Sequence, residues 1–183
     1  EVNVGGHLII LDAGTGIISL GNELIKKHIA SSDEFFTRTP IHATILLSHL
    51  HSDHIQGFNF FKPLSVLTSK INVFGASDYN DSLKDNIKNL LYGKSFPICI
   101  NDIAANLEIS DIIEGDVLIF YPNSPTPLKK RVVAADDIIP EGEEVIVSCM
   151  KSMAHGADGV MVYKIAYKDK TLVYKKERVS STL

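Results

Sequence analysis

The residues best suited to chemistry are concentrated in one short segment. Three of the chain's seven histidines lie within six positions, together with one aspartate: His49, His51, Asp53 and His54. In an extended segment, residues i and i+2 point to the same side, so His49 and His51 can bind one ion from one face. If the chain then turns, Asp53 and His54 present their donor atoms at a neighbouring point. Imidazole nitrogen and carboxylate oxygen suit Zn²⁺, Mn²⁺ or iron, and we therefore predict a metal site here.

An apolar strand precedes this segment and must position it. Residues 41–47 form a continuous apolar run of the kind that is buried on both faces of a sheet. The histidine cluster follows directly, at the C-terminal end of a strand, where active sites are common in layered α/β folds. Leu50 points away from the histidines and can anchor the loop in the core. The alternative, a solvent-exposed histidine-rich loop, is disfavoured because such loops lie in polar tracts.

The rest of the chain predicts mostly strands with a few helices. Gly5 and Gly6 indicate a hairpin between strands at residues 2–4 and 8–11. Helical spacing predicts helices over residues 17–30 and 78–91, the second starting near Asp81 or Ser82, and a short helix or turn over 54–61. Further strands are predicted at residues 71–74, 107–109, 117–121, 131–134, 145–149, 160–167 and 172–174. This pattern predicts one α/β domain, residues 1–183, with two layers of sheet flanked by helices.

Composition limits the classes of partner. The chain has 183 residues, a net charge of −4 and a pI near 6.0, so no basic field is present to hold a long nucleic acid. No apolar run is long enough to cross a membrane. Cys99 and Cys149 are too few for a disulfide framework, and no signal peptide opens the sequence, which together predict a cytoplasmic location. The first residue is Glu1 instead of Met, which leaves open that the native chain extends beyond both ends.

Several segments resemble one known family. Residues 48–61, SHLHSDHIQGFNFF, resemble the metal-binding motif of the metallo-β-lactamase superfamily. The continuation IQGF is similar to a bacterial branch of cyclic-nucleotide phosphodiesterase-like and phosphoribosyl-phosphodiesterase-like hydrolases. LIILDAGTG (8–16), MAHGADGV (153–160) and KTLVYKKE (170–177) resemble further segments of that branch, so the resemblance spans nearly the whole chain. It implies an αββα sandwich, in which two mixed β-sheets are flanked by helices.

The resemblance also implies a ligand set. His49, His51 and His155 would hold a first metal, and Asp53 and His54 would hold a second. A zinc site needs at least three protein ligands, which independently favours a third donor beside His49 and His51.

The carboxylate of Asp12 would orient the ligand loops by hydrogen bonds. An alternative role for Asp12 is to cap the helix that follows, although Thr15 is better placed for that. The glycines of the turn, Gly14 and Gly16, are expected to pack tightly beneath the metal site. His7, His28 and His42 have no ligand partners at useful spacing and are expected to be structural.

This sequence departs from the family pattern at three points. Glu177 stands where the family has a bridging aspartate, and Gly156 stands where a proline usually follows the later ligand histidine. The family's last histidine has no counterpart, because the sequence stops at Leu183. These departures leave open whether the site binds one ion or two.

The expected function is a metal-dependent hydrolase. Zn²⁺, or alternatively Mn²⁺ or iron, would provide a metal-bound hydroxide that cleaves a small cyclic or nucleotide-type phosphodiester. Asp53 would be the catalytic residue that orients this nucleophile and accepts its proton. The choice of a phosphodiester rests on the resemblance, since the same chemistry serves other esters and amides.

Three other functions stay open at this point. An RNA-processing nuclease of the same fold would need a basic surface, which the net charge argues against. A thioester or lactam hydrolase shares the metal chemistry. A degenerate, non-catalytic scaffold or binding module fits Glu177 and the missing histidine, but not the intact cluster from His49 to His54. A homodimer is compatible with the sequence.

Overall fold

The computed structural model describes residues 1–77, 81–91, 100–132, 142–153 and 159–175. Within these ranges the chain forms two five-stranded sheets and three α-helices, a mixed α/β architecture. None of the helices in these ranges is long and apolar enough to span a bilayer.

The first sheet has the order β1-β2-β3-β4-β5. Its strands are β1 (Val2–Val4), β2 (His7–Leu11), β3 (His42–Leu47), β4 (Lys70–Gly75) and β5 (Asn106–Asp111). β1 and β2 form the predicted hairpin, in which Gly5 and Gly6 adopt positive φ angles of 55° and 82°. β2 to β5 are parallel, and β3 is buried at every position after His42, as its continuous apolar sequence predicted.

The second sheet has the order β10-β9-β8-β6-β7. Its strands are β6 (Asp116–Phe120), β7 (Leu128–Arg131), β8 (Val145–Ser152), β9 (Val160–Tyr167) and β10 (Lys170–Tyr174). Every pairing among its described strands is antiparallel, so the prediction of two mixed sheets is wrong for the described part of this one. The cause is visible at the β9–β10 connection, a tight turn with Lys168 at a φ of 53°, because parallel neighbours would need a crossover of a dozen or more residues.

The helices are α1 (Gly16–Ala30), α2 (Ser52–Ile55) and α3 (Leu83–Leu91). The predicted first helix is thus confirmed. The second begins at Leu83, as predicted for a start near Asp81 or Ser82, and the Ser82 hydroxyl accepts the backbone N–H of Asp85 at 3.1 Å and caps α3 there. Residues 78–80 of that prediction lie outside the described ranges.

Two apolar clusters define the layers. Ile17 of α1 and Ile87 of α3 pack with Ile45 and Ile71 on one face of the first sheet. On the other face, Leu46 packs with residues of the second sheet, including Leu118, Val147 and Met161. The described part of the chain therefore has the layers helix, sheet, sheet. The further helix layer predicted beyond the second sheet is not found in that part.

One strand prediction was misplaced. Residues 131–134 were predicted as a strand, whereas β7 ends at Arg131, and residues 133 and 134 lie outside the described ranges. β7 is exposed along its whole length and pairs only with β6 among the described strands, so Lys129 and Lys130 can face water at the sheet edge. Because an exposed edge strand can carry polar side chains, its sequence can lack the apolar pattern that predicts a strand.

Candidate metal centre

The histidine segment lies at the C-terminal edge of the parallel strands. β3 ends at Leu47, the chain bends at Ser48, and His51 has an extended backbone with a φ of −64° and a ψ of 147°. α2 then begins at Ser52, so the chain turns between His51 and Asp53 as the spacing predicted. The loops that follow β4 and β5 leave the sheet at the same edge.

The four predicted ligands of this segment lie in one patch. The ring centroids of His49 and His51 are 4.6 Å apart, and those of His49 and His54 are 4.1 Å apart. The Asp53 Oδ2 atom lies 3.2 Å from His54 Nε2. Three imidazoles and a carboxylate therefore share one small volume beside the sheet edge.

Asp12 is the hydrogen-bond centre beneath this patch. It follows β2, is buried, and adopts a left-handed φ of 60°, which aspartate tolerates better than most residues. Its Oδ1 accepts the backbone N–H of Ser48 at 2.6 Å. Its Oδ2 accepts the Ser48 hydroxyl at 2.9 Å, the His54 Nδ1–H at 2.6 Å and the Tyr174 hydroxyl at 2.7 Å. The predicted role of Asp12 in holding the ligand loops agrees with these contacts.

These hydrogen bonds fix which ring nitrogens carry protons. The single Ser48 hydroxyl hydrogen goes to Asp12, since a carboxylate can only accept. His49 Nδ1 lies 2.9 Å from Ser48 Oγ and must therefore be the donor in that pair. His54 Nδ1 likewise donates to Asp12. In neutral His49 and His54 the lone pair is thus on Nε2, the tautomer that metal-binding histidines adopt when a carboxylate lies behind them.

Close backbone packing holds the two loops together. Ala13 donates its N–H to the His54 carbonyl at 2.7 Å and accepts the N–H of Gly57 at 2.9 Å. A Cβ atom at Gly14 would lie 2.5 Å from the Asp53 carbonyl oxygen, and one at Gly57 would overlap the Gly14 carbonyl. The prediction of tight packing is therefore confirmed for Gly14. It is wrong for Gly16, where a Cβ would meet nothing within 4 Å because α1 is already turning away.

The second sheet is also hydrogen-bonded to the residues just before His49. The Ser48 carbonyl accepts the backbone N–H of Met161 at 2.8 Å, and the Leu47 carbonyl accepts the Tyr163 hydroxyl at 2.5 Å. Burial raises the pKa of Tyr163 well above its ordinary value, so this hydroxyl remains a donor at neutral pH. β9 thereby fixes the position from which the histidines project.

The donor chemistry of the patch suits a metal ion. With its Nδ1–H bonded to Asp12, neutral His54 turns an Nε2 lone pair towards the Asp53 carboxylate 3.2 Å away, and two facing acceptors need a proton or a cation between them. Among the residues that the structure describes, however, no three His, Cys, Asp or Glu side chains are arranged to hold an ion. The predicted ligands that would complete the set, His155 and Glu177, lie outside the described residues.

A cavity opens beside the histidines. It has a volume of about 390 Å³, and His49 and His51 form part of its wall. Most of the remaining wall is apolar and comes from the ends of β4, β5, β8 and the start of β9. Two charged side chains, Glu114 and Lys151, also line it.

Sequence reasoning missed three residues of this site. The sequence pattern assigns no role in the site to Ser48, Tyr174 or Lys151. A Ser directly before the first histidine, at the end of a buried strand, was a usable signal. Tyr174 lies 162 positions from Asp12, and nothing in one sequence pairs residues so far apart.

The other histidines lie elsewhere in the molecule. His28 Nδ1 hydrogen-bonds the Thr39 carbonyl at 2.8 Å, and the His7 ring packs on Phe120 at 5.2 Å. His42 begins β3, at the opposite end of that strand from the cluster. Thr15 occupies the N-cap position of α1 as expected, but its side chain makes no capping hydrogen bond.

No protein-family model matches the chain, and no curated protein matches it.

Proposed function

We propose that this protein is a metal-dependent hydrolase with the metallo-β-lactamase fold, an αββα sandwich, and that it cleaves a small phosphodiester in the cytoplasm. The observation that supports this most directly is the hydrogen-bond relay beneath the cluster. Asp12 accepts a hydrogen bond from His54 and another from the Ser48 hydroxyl, which in turn accepts one from His49. These hydrogen bonds place the protons of two neighbouring imidazoles on Nδ1. Metal-binding histidines are commonly held in this way, with the other ring nitrogen bound to the metal.

His49, His51 and His155 would hold one ion, and Asp53, His54 and Glu177 would hold a second. Bound Zn²⁺ supplies Lewis acidity, which makes water acidic enough to be a nucleophile at neutral pH. Mn²⁺ or iron would serve the same donor set.

The chain's own residues would then prepare the reaction. Asp12, Ser48 and Tyr174 hold the imidazoles at fixed orientations, so that little rearrangement is needed when substrate binds. The Asp53 side chain is 65% exposed at the patch surface and would accept a proton from the attacking water. The apolar part of the cavity wall would displace water from a bound substrate and strengthen these electrostatic interactions.

Cavity size and charge support a small substrate. Ligand cavities span roughly 300 to 1,000 Å³, and a volume of about 390 Å³ is at the lower end of that range. The net charge of −4 provides no basic track for a polymer. The phosphodiester assignment itself rests on the resemblance of the segment from His49 to Phe58. The free, buried thiol of Cys149 agrees with a reducing compartment.

Hydrolysis of bis(4-nitrophenyl) phosphate by zinc-loaded protein tests the proposal. We expect His51→Ala to lower kcat/KM at least a hundredfold, because a direct ligand is lost, while the fold persists since His51 is exposed. His42→Ala is the matched control, because His42 is also exposed but lies at the far end of β3. Equal turnover by wild type and His51→Ala, or no turnover of esters of any class by zinc-loaded wild type, would refute the assignment.

A further inference from the structure

Lys151 is an exposed cation held beside the histidine loop. It lies near the end of β8, where it pairs with Met161 of β9, and Met161 in turn donates its N–H to the Ser48 carbonyl. Only one backbone pairing and one hydrogen bond therefore separate Lys151 from the residue before His49. The second sheet places a positive charge at the edge of the candidate metal centre.

Gly159 directs the Lys151 side chain. A Cβ atom at Gly159 would lie 2.9 Å from Lys151 Cε, closer than real contacts allow, so the lysine stem occupies the space that the glycine leaves open. Gly159 also has a φ of 69°, which glycine adopts without strain. The stem thus packs against Gly159, and Lys151 lines the same cavity as His49 and His51.

The ammonium group of Lys151 has no internal counterion in the part of the chain that the structure describes. The ion pairs of that part involve other lysines, such as Lys70 with Glu108 and Lys168 with Glu143. Glu114 lines the same cavity and is also exposed, yet it forms no ion pair with Lys151 or with any other described cation. Among the described residues that line the cavity, Lys151 and Glu114 therefore supply one positive and one negative charge, and most of the other lining side chains are apolar.

This arrangement favours a ligand with one negative charge. A phosphodiester has a single charge at neutral pH, whereas a phosphomonoester has a charge between −1.5 and −2. Lys151 attracts either anion, but the Glu114 carboxylate repels a second charge, and in a partly enclosed cavity such repulsion is screened less than in open water. The apolar wall can contact the organic groups on both sides of a diester phosphate.

We propose that Lys151 binds the anionic oxygen of the substrate and that Lys151 and Glu114 together select a small, singly charged phosphodiester over a phosphomonoester. This selectivity rests on the proposed hydrolase function and adds the discrimination against phosphomonoesters and the two residues that determine it.

Three 4-nitrophenyl substrates of different charge test the selectivity on zinc-loaded protein: the monoanionic diester, the dianionic monoester and neutral 4-nitrophenyl acetate. We expect Lys151→Gln to raise KM for the diester about tenfold with little change in kcat, the effect of losing one charge-assisted hydrogen bond. KM for the neutral acetate should stay unchanged. Lys164→Gln, an exposed lysine of β9 outside the cavity, is the matched control and should leave all three KM values unchanged.

The Glu114→Gln variant tests the negative charge. We expect it to lower KM for the monoester about three- to tenfold while KM for the diester changes less than twofold. An unchanged diester KM in Lys151→Gln, or equal monoester KM values in wild type and Glu114→Gln, would overturn the inference while leaving the hydrolase proposal intact. Absence of turnover of all three esters in wild type would instead contradict the hydrolase proposal itself.

Discussion

Asp12 accepts four hydrogen bonds, and three of them converge on its Oδ2 atom. Two of the four donors come from Ser48, one from His54 and one from Tyr174, so one carboxylate joins three separate parts of the chain. The negative charge on Asp12 is compensated by this set of donors although the residue is buried. A residue with this number of partners controls the orientation of the imidazole that it contacts.

Removing the Tyr174 hydroxyl is a small change that tests the hydrogen bonds around Asp12. We expect Tyr174→Phe to lower the free energy of unfolding by about 0.5–1.5 kcal/mol, the net value of one hydrogen bond. Zinc affinity should fall about tenfold, since partners behind a ligand typically change affinity by 10- to 100-fold. Urea unfolding and zinc titration measure the two effects. Tyr121→Phe, which removes an exposed hydroxyl, is the control, and a Tyr174→Phe protein that binds zinc like wild type would exclude the positioning role.

Some residues of the candidate metal centre could be predicted from the sequence, and others could not. His49, His51, Asp53 and His54 were found from type and spacing alone, because ligands within one short loop are local. Their supports Ser48 and Tyr174 were not, because they are defined by contacts that depend on the fold. His155 and Glu177 were inferred only from the family resemblance, and they stay predictions.

At the scale of elements, two loops meet with almost no space between their backbones. The turn after β2 and the loop after β3 touch at Gly14 and Gly57, where each lacks a side chain that would collide with the other. The hydrogen bonds through Ala13 require this close approach. The orientation of α2, and with it that of Asp53 and His54, therefore depends on two glycines.

Replacing Gly57 by alanine tests this dependence. The new Cβ would overlap the Gly14 carbonyl, so we expect a loss of about 1–3 kcal/mol in the free energy of unfolding and weaker zinc binding. Gly16→Ala is the control, because nothing lies within 4 Å of its Cβ position; it should leave stability unchanged or raise it by less than about 1 kcal/mol. Urea unfolding measures both variants. Equal stability of Gly57→Ala and Gly16→Ala would show that the close approach is not needed.

Elements with a strong local pattern were predicted well. The Gly5–Gly6 hairpin, α1 and β3 each have a signal confined to neighbouring residues, and all three are confirmed. The direction of pairing in the second sheet was not predicted correctly. Pairing direction depends on the connections between strands, which hydrophobic periodicity does not report.

At the scale of the whole molecule, buried groups that release protons make stability depend on pH. Burial raises the pKa of Cys149 from 9.0 to about 12, and the nearby Asp116 adds to this. Burial also raises the pKa of Tyr163. Both groups keep their protons in the folded protein at pH values where the unfolded chain has lost them. The folded state then binds more protons, so stability falls as pH rises.

We therefore expect alkaline destabilisation to begin near pH 9. The contribution of Cys149 is complete below pH 9 and is lost between pH 9 and about 12, with a slope of up to about 1.4 kcal/mol per pH unit. Tyr163 adds to the slope above pH 10. Urea unfolding at intervals from pH 7 to 11 measures this dependence. Cys149→Ala should flatten the curve between pH 9 and 10, and an identical slope in that variant would exclude the thiol as a cause.

Both sheets contribute residues to the edge of the molecule at which the histidine cluster lies. The parallel strands end there, β9 holds the segment before His49, and β10 supplies Tyr174. The overall layering was predicted from the alternation of strands and helices, whereas the layer beyond the second sheet was not found among the described residues.

Zinc binding by the purified protein tests the central claim most directly. Metal-free wild type and His51→Ala are titrated with Zn²⁺ in a calorimeter, and the bound metal is counted by elemental analysis after dialysis. We predict at least one tightly bound equivalent in wild type and none retained in His51→Ala, with both proteins folded. Equal zinc retention by the two proteins, or none by wild type, would contradict the assignment of these imidazoles as metal ligands.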